Sequence, residues 1–146
     1  PRERQRGSLM GAWGAGIFEN DDAADWANEF DETDPAERLA FIEDTFALTD
    51  DVDHGQLDID DCSAVLAAAA VVAAQLPNGP RLDTTYGPQN LGNGPGLTVT
   101  PHLREKAVAA VQAVIHPDTE WSQLWDESAN TDARLAATQL LGILSP

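Results

Sequence analysis

The chain has 146 residues, 42% of them hydrophobic, and a formal net charge of −17. That length fits one ordinary domain able to bury a core without a disulfide or a metal staple. A net charge of this sign repels nucleic acid phosphates and anionic membranes, so no nucleic acid and no membrane is expected as a partner.

Residues 1 to 9, PRERQRGSL, precede the one methionine, Met10, and carry a Gly-Ser pair of the kind expression vectors leave behind. They are read as a vector remnant, which leaves a single helical domain over residues 10–146. Without Arg2, Glu3, Arg4 and Arg6 the formal charge is −19. Only nine residues are aromatic, and alanine carries much of the apolar content. This composition predicts an all-α fold: a compact single-domain bundle of five to six helices around an alanine-rich central one.

GAWGAGIFENDDAADW, residues 11 to 26, opens the domain. Its glycines Gly11, Gly14 and Gly16 do not have the spacing of a phosphate-binding loop, and the carboxylates that follow would repel a phosphate. They are read as turns that let Trp13 and Phe18 fold back onto the core. Asn20, Asp21 and Asp22 are suited to cap a first helix, whose Ala23, Trp26, Ala27 and Phe30 have the spacing of one buried face.

In DPAERLAFIEDTFAL, Asp34 is placed as N-cap, Pro35 at the first helical position and Glu37 three residues after the cap, which predicts the start of helix two. Its Leu39, Ala40, Phe41, Ile42 and Phe46 cover a wide face suited to two neighbours. A polar connector, residues 49–61, leads into a third helix from about Asp60 to Leu76, with Asp60 or Asp61 as its cap. Alanine and valine on every side make this helix the centre of the bundle.

Residues 77–100 hold four prolines and five glycines and read as a long loop. Helix four starts near Thr100 and Pro101, with Leu103, Ala107, Val111 and Val114 on one face, and ends around His116 and Pro117. Helix five carries Trp121, Leu124 and Trp125. Helix six runs from about Asp132 to Leu144 with Leu135, Leu140, Leu141 and Ile143.

The glycine-rich opening, the stretch LDIDDCSAVLAAAAVVAA and the later WSQLWDES occur in the order seen in bacterial proteins grouped as family 4259 of the domains of unknown function, which the chain resembles from Met10 nearly to its end. The resemblance implies a small bacterial helical domain and brings no catalytic roles. It also implies an acidic residue within the alanine-rich stretch, where this chain has Ala70, and a shorter loop than 77–100.

Candidate chemistry is sparse. Cys62 is the one cysteine; beside an alanine-rich helix and far from any histidine, it is read as core filler. His54, His102 and His116 lack metal-ligand spacing, and His116 is suited to the negative end of helix four. In DDVDHGQLDIDD, taking Asp50 as the first position of a calcium loop puts Gly55 at the sixth and Asp61 at the twelfth. Val52 and His54 occupy positions where oxygen ligands belong. No metal and no cofactor is assigned.

Charge segregation is the stronger signal. From Glu19 to Asp61 there are seventeen acidic residues against one cation, Arg38. Such a field speeds the encounter with a basic protein surface. The expectation is an acidic, non-enzymatic domain that binds a basic protein partner, as immunity proteins and antitoxins do. Glu43, Asp44, Asp50, Asp51, Asp53 and Asp58 are chosen as its contacts because they lie beyond the capping positions. The alternatives are a metal-dependent or carboxylate-based enzyme, or a calcium-binding domain using residues 50–61. No segment combines basic residues, an apolar stretch and a cleavage site, so a cytoplasmic location is expected.

Overall fold

The computed structural model describes residues 21–50, 53, 56–76, 99–127 and 132–145. Among them are six α-helices and no strand: α1 (Asp21–Glu32), α2 (Arg38–Phe46), α3 (Ile59–Ala74), α4 (Pro101–Ile115), α5 (Glu120–Glu127) and α6 (Asp132–Leu144). Trp13, Phe18 and the opening glycines lie outside the described residues, as do 51, 52, 54, 55 and 77–98.

The architecture follows from α3. From Cys62 to Ala73 every residue but the half-buried Ala64 is buried, the pattern of a helix that is apolar all round. Contacts from α1, α2, α4, α5 and α6 converge on it. The small side chains allow that convergence, because alanine keeps neighbouring backbones close. Ala70 is 1% exposed, so the position where the resemblance implies an acid lies in apolar core, where an unpaired charge is costly.

The start of α3 differs by a turn's detail from the expectation. Asp58 is its N-cap, its Oδ1 accepting the Asp61 N–H at 2.9 Å, while Asp60 and Asp61 sit in the first turn. A second carboxylate joins from another helix: Glu120 Oε1 accepts the Ile59 N–H at 2.7 Å, and the Glu120 N–H donates to Leu57 O at 3.3 Å.

On α1, Ala23, Trp26, Ala27 and Phe30 are all buried, as their spacing predicts. Trp26 stacks on both Phe30 and Phe41, with centroids 5.4 and 5.3 Å apart. Its indole N–H donates to Thr45 Oγ1 at 2.9 Å, and that hydroxyl donates to Phe41 O at 3.0 Å. The ring therefore buries its area and keeps its polar edge satisfied.

The signal read as the start of helix two forms a 3-10 turn instead, Pro35–Glu37, in which the Glu37 N–H donates to Asp34 O at 2.8 Å. The α-helix proper begins at Arg38, with Glu37 as an N-cap that makes no side-chain bond. The expected wide apolar face is also narrower. Ile42 and Phe46 are buried, but Leu39 and Ala40 face solvent, because the neighbours α3 and α4 cover one side only.

Thr100 caps α4, its Oγ1 accepting the Leu103 N–H at 3.1 Å, with Pro101 opening the helix. Leu103, Ala107, Ala110, Val111 and Val114 form its buried face. Thr119, fully buried, joins α4 to α5: its Oγ1 lies 2.7 Å from Val114 O and accepts the Ser122 N–H at 3.0 Å. On α6, Ala137, Leu140 and Leu144 are buried, whereas Leu135 and, on α5, Leu124 are exposed. Among the described residues no helix is long and apolar enough to cross a membrane.

Candidate partner-binding surface

The carboxylates divide into those that serve the fold and those that do not. Asp58, which the sequence reading sets beyond the capping positions as a contact, is the cap of α3. Glu43 is half-buried, and its Oε2 lies 3.3 Å from Lys106 Nζ on α4. Asp44, Asp50 and Asp53 are exposed. Asp44 lies near the end of α2, and Asp50 follows the 3-10 turn Ala47–Thr49, its N–H donating to Ala47 O at 3.0 Å. Asp51 lies outside the described residues. Four of the six are thus in solvent, Asp44, Asp50 and Asp53 on the α2 end and its connector and Asp58 as the exposed cap of α3.

A second acidic row was missed from sequence. Asp25, Glu29 and Glu32 are exposed on α1 at spacings of four and three residues, which puts them in one stripe opposite Trp26 and Phe30. Charge at the first turn is explained by the helix dipole, but that account fails for Glu29 and Glu32 at the other end. Like charges at this spacing cost a few tenths of a kcal/mol per pair, about 0.2–0.5. The legible signal was the period of the acids themselves, and it was absorbed into a capping argument that covers only the first turn.

The three cations whose side chains are described do little to offset this face. Arg38 is buried; its Nε donates to Phe30 O at 3.3 Å and Thr33 O at 3.1 Å, and its Nη2 to Asp31 O at 3.3 Å. Arg104 donates to Leu144 O at 3.0 Å, Ile143 O at 3.3 Å and Ser145 O at 3.3 Å, the last turn of α6. Lys106 is held by Glu43. Each of these three is turned toward the protein's own groups.

Little in the described residues is poised for catalysis. Burial pushes the Cys62 thiol up to about 12, with Asp58, Asp61 and Glu120 adding to the rise and a hydrogen bond from the Trp121 backbone opposing it. A thiol held that high is not a nucleophile at neutral pH, in keeping with its reading as core filler. His116 ends α4, where its Nδ1 accepts the Asp118 N–H at 3.1 Å, and His102 is exposed. No group of three His, Cys, Asp or Glu among the described residues is arranged to hold a metal ion.

A groove of about 540 Å³ lies on the outward side of α4. Leu76, Val99, Pro101, Val108 and Ala109 form its apolar lining, with Arg104, Glu105 and Gln112 completing it. Sequence reasoning did not find it, since Val108 and Ala109 interrupt the core-facing period of α4 without forming a pattern of their own.

These features define an acidic all-α bundle built around a buried alanine-rich helix. The family model described as "Domain of unknown function (DUF4259)" matches residues 11–137, and the chain belongs to that family. No curated protein and no solved structure matches it.

Proposed function

We propose that this domain is a non-enzymatic acidic module of the bacterial cytoplasm that binds a basic protein partner, in the manner of an immunity protein or antitoxin that blunts a basic toxin. One observation carries the reading. The exposed carboxylates Asp25, Glu29, Glu32, Asp44, Asp50 and Asp53 cover α1 and the end of α2, while Arg38, Arg104 and Lys106 face inward or are paired. A surface built this way steers a positively charged partner and repels a negatively charged one.

The test is capture of bound proteins from bacterial lysate on the immobilised domain, beside a variant with Asp44, Asp50 and Asp53 changed to lysine. The reading expects a basic protein that is retained at low salt, weakened at high salt and lost on the variant. Equal capture by both forms, or capture of no basic protein, would overturn it.

A further inference from the structure

We propose that the outer face of α2 makes the partner's apolar contact, receiving a basic amphipathic helix whose leucine-like side chains seat on Leu39, Ala40, Ala47 and Leu48; this rests on the partner reading above and adds the contact that charge alone does not supply. Every exposed residue from Ala36 to Asp50 is alanine, leucine, aspartate or glutamate. Leu39 and Leu48 are 39% and 40% exposed. Ala40 and Ala47, seven residues apart, fall on one side of the helix between them, away from the buried Ile42 and Phe46.

α1 supplies the contrast. Its outer side, Asp25, Asn28, Glu29 and Glu32, is polar throughout, as a face that only meets water is built. A solvated surface also mixes charges of both signs, whereas the exposed charges of the α2 face, Glu37, Asp44 and Asp50, have one sign and stand among apolar side chains. Arg38 is buried, and Lys106, reaching the margin from α4, is engaged by Glu43 at 3.3 Å.

That charge selects the occupant. A second copy docked face to face would set Glu37, Asp44 and Asp50 against like charges, so the face fits apolar anchors flanked by lysine or arginine. The far end of the face is fixed: Thr49 Oγ1 lies 2.9 Å from Phe46 O, and the Asp50 N–H donates to Ala47 O at 3.0 Å, which leaves little to order on binding. From Leu39 to Leu48 the face runs roughly 14 Å at the helical rise, the span of about three turns of a partner helix.

Two synthetic peptides of identical composition test this, one with leucines on a single helical face among lysines and one with the same residues scrambled. Their binding to the full chain is measured by fluorescence anisotropy at low and moderate salt, beside a melting curve of each variant. The amphipathic peptide should bind roughly ten-fold more tightly than the scrambled one. The preference should fall to within about three-fold in Leu39→Gln/Leu48→Gln, glutamine being as good a helix former as leucine. It should fall likewise in Ala40→Glu, which keeps the attraction for lysine and puts a charge on the apolar strip. Leu135→Gln, at an exposed leucine on α6, should leave it intact, and Asp25→Lys/Glu29→Lys on α1 should weaken both peptides alike.

Equal binding of both peptides would overturn the apolar contact and leave the charge-based partner reading standing. Binding of neither at low salt would remove both. A preference that survives Leu39→Gln/Leu48→Gln and Ala40→Glu, or that is lost equally in Leu135→Gln, would overturn the assignment to α2. A melting temperature several degrees lower in Leu39→Gln/Leu48→Gln would show that the two leucines serve the chain's own packing, and would overturn it as well.

Discussion

Arg38 stands over the ring of Phe30, its guanidinium carbon 5.1 Å from the centroid, while its Nε donates to the carbonyl of that same residue at 3.3 Å. A single side chain from the first turn of α2 thereby covers the apolar end of α1 and donates to carbonyls in and just after its last turn. Arg38→Ala should destabilise the domain by about 3 kcal/mol, since hydrogen bonds from a charged donor are each worth about 1.5–3 kcal/mol and partly share one desolvation cost. Arg38→Lys should recover only part of the loss, a lysine lacking the planar fork. Urea unfolding of the two variants measures this, and equal stability of Arg38→Lys and the parent would contradict it.

Arg104 performs a like service for α6, reaching the carbonyls of Ile143, Leu144 and Ser145. Arg104→Gln should cost about 1–2 kcal/mol, and the loss should be local. Hydrogen exchange should speed up in the last turn of α6 well before that of α3. Uniform loss of protection would mean that the clamp holds the whole bundle.

Ala70 offers a sharper contrast. Fully enclosed in the middle of α3, it has no room or partner for a carboxylate, so Ala70→Asp should cost about 3–5 kcal/mol at neutral pH. The penalty should shrink in acid, where the introduced group enters the core protonated. A stable Ala70→Asp protein would show that this helix tolerates the acid implied by the family resemblance.

Asp61 gives a pH dependence with a definite sign. Burial raises its carboxyl above the usual value, and the neighbouring charges of Asp58 and Asp60 raise it further. The native state therefore binds its proton more readily than the unfolded chain. The resulting cost is fully present above the raised folded value and disappears as pH falls below the unfolded one. Asp61→Asn should raise the melting temperature at pH 7 and leave it unchanged near pH 3. A benefit that grew in acid would reverse the assignment.

Cys62 is buried with its thiol pushed up to about 12. Labelling by a disulfide reagent at pH 7 should follow the rate of unfolding and accelerate sharply across the urea transition. Fast labelling of the folded protein would show that its cover opens readily.

Much of the bundle was legible in the sequence because its signals are local. The spacing of Ala23, Trp26, Ala27 and Phe30, the Thr100-Pro101 start and the apolar run from Cys62 to Ala73 each fix a helix and its buried side. What escaped depends on neighbours. Leu39, Leu124 and Leu135 have apolar side chains that no adjacent helix covers, and periodicity carries no record of that. Asp58 was placed among binding residues because two acids follow it, yet only its backbone is extended enough to cap, with ψ near 173°. Arg38 did leave a trace: one cation alone in a long acidic stretch has many candidate partners, and here it serves carbonyls.

The two hydrogen bonds between Glu120 and the Leu57–Ile59 segment join parts of the chain some sixty residues apart. They act as a staple that gives the acidic connector a fixed downstream end, as the turn Ala47–Thr49 does upstream. Asp50 and Asp58 thus stand at anchored points, and the ordering of both ends of the connector is completed on folding. Under the proposed partner reading, Glu120→Ala leaves the charge of this segment untouched and still weakens a partner's capture, by returning that ordering cost to the moment of binding.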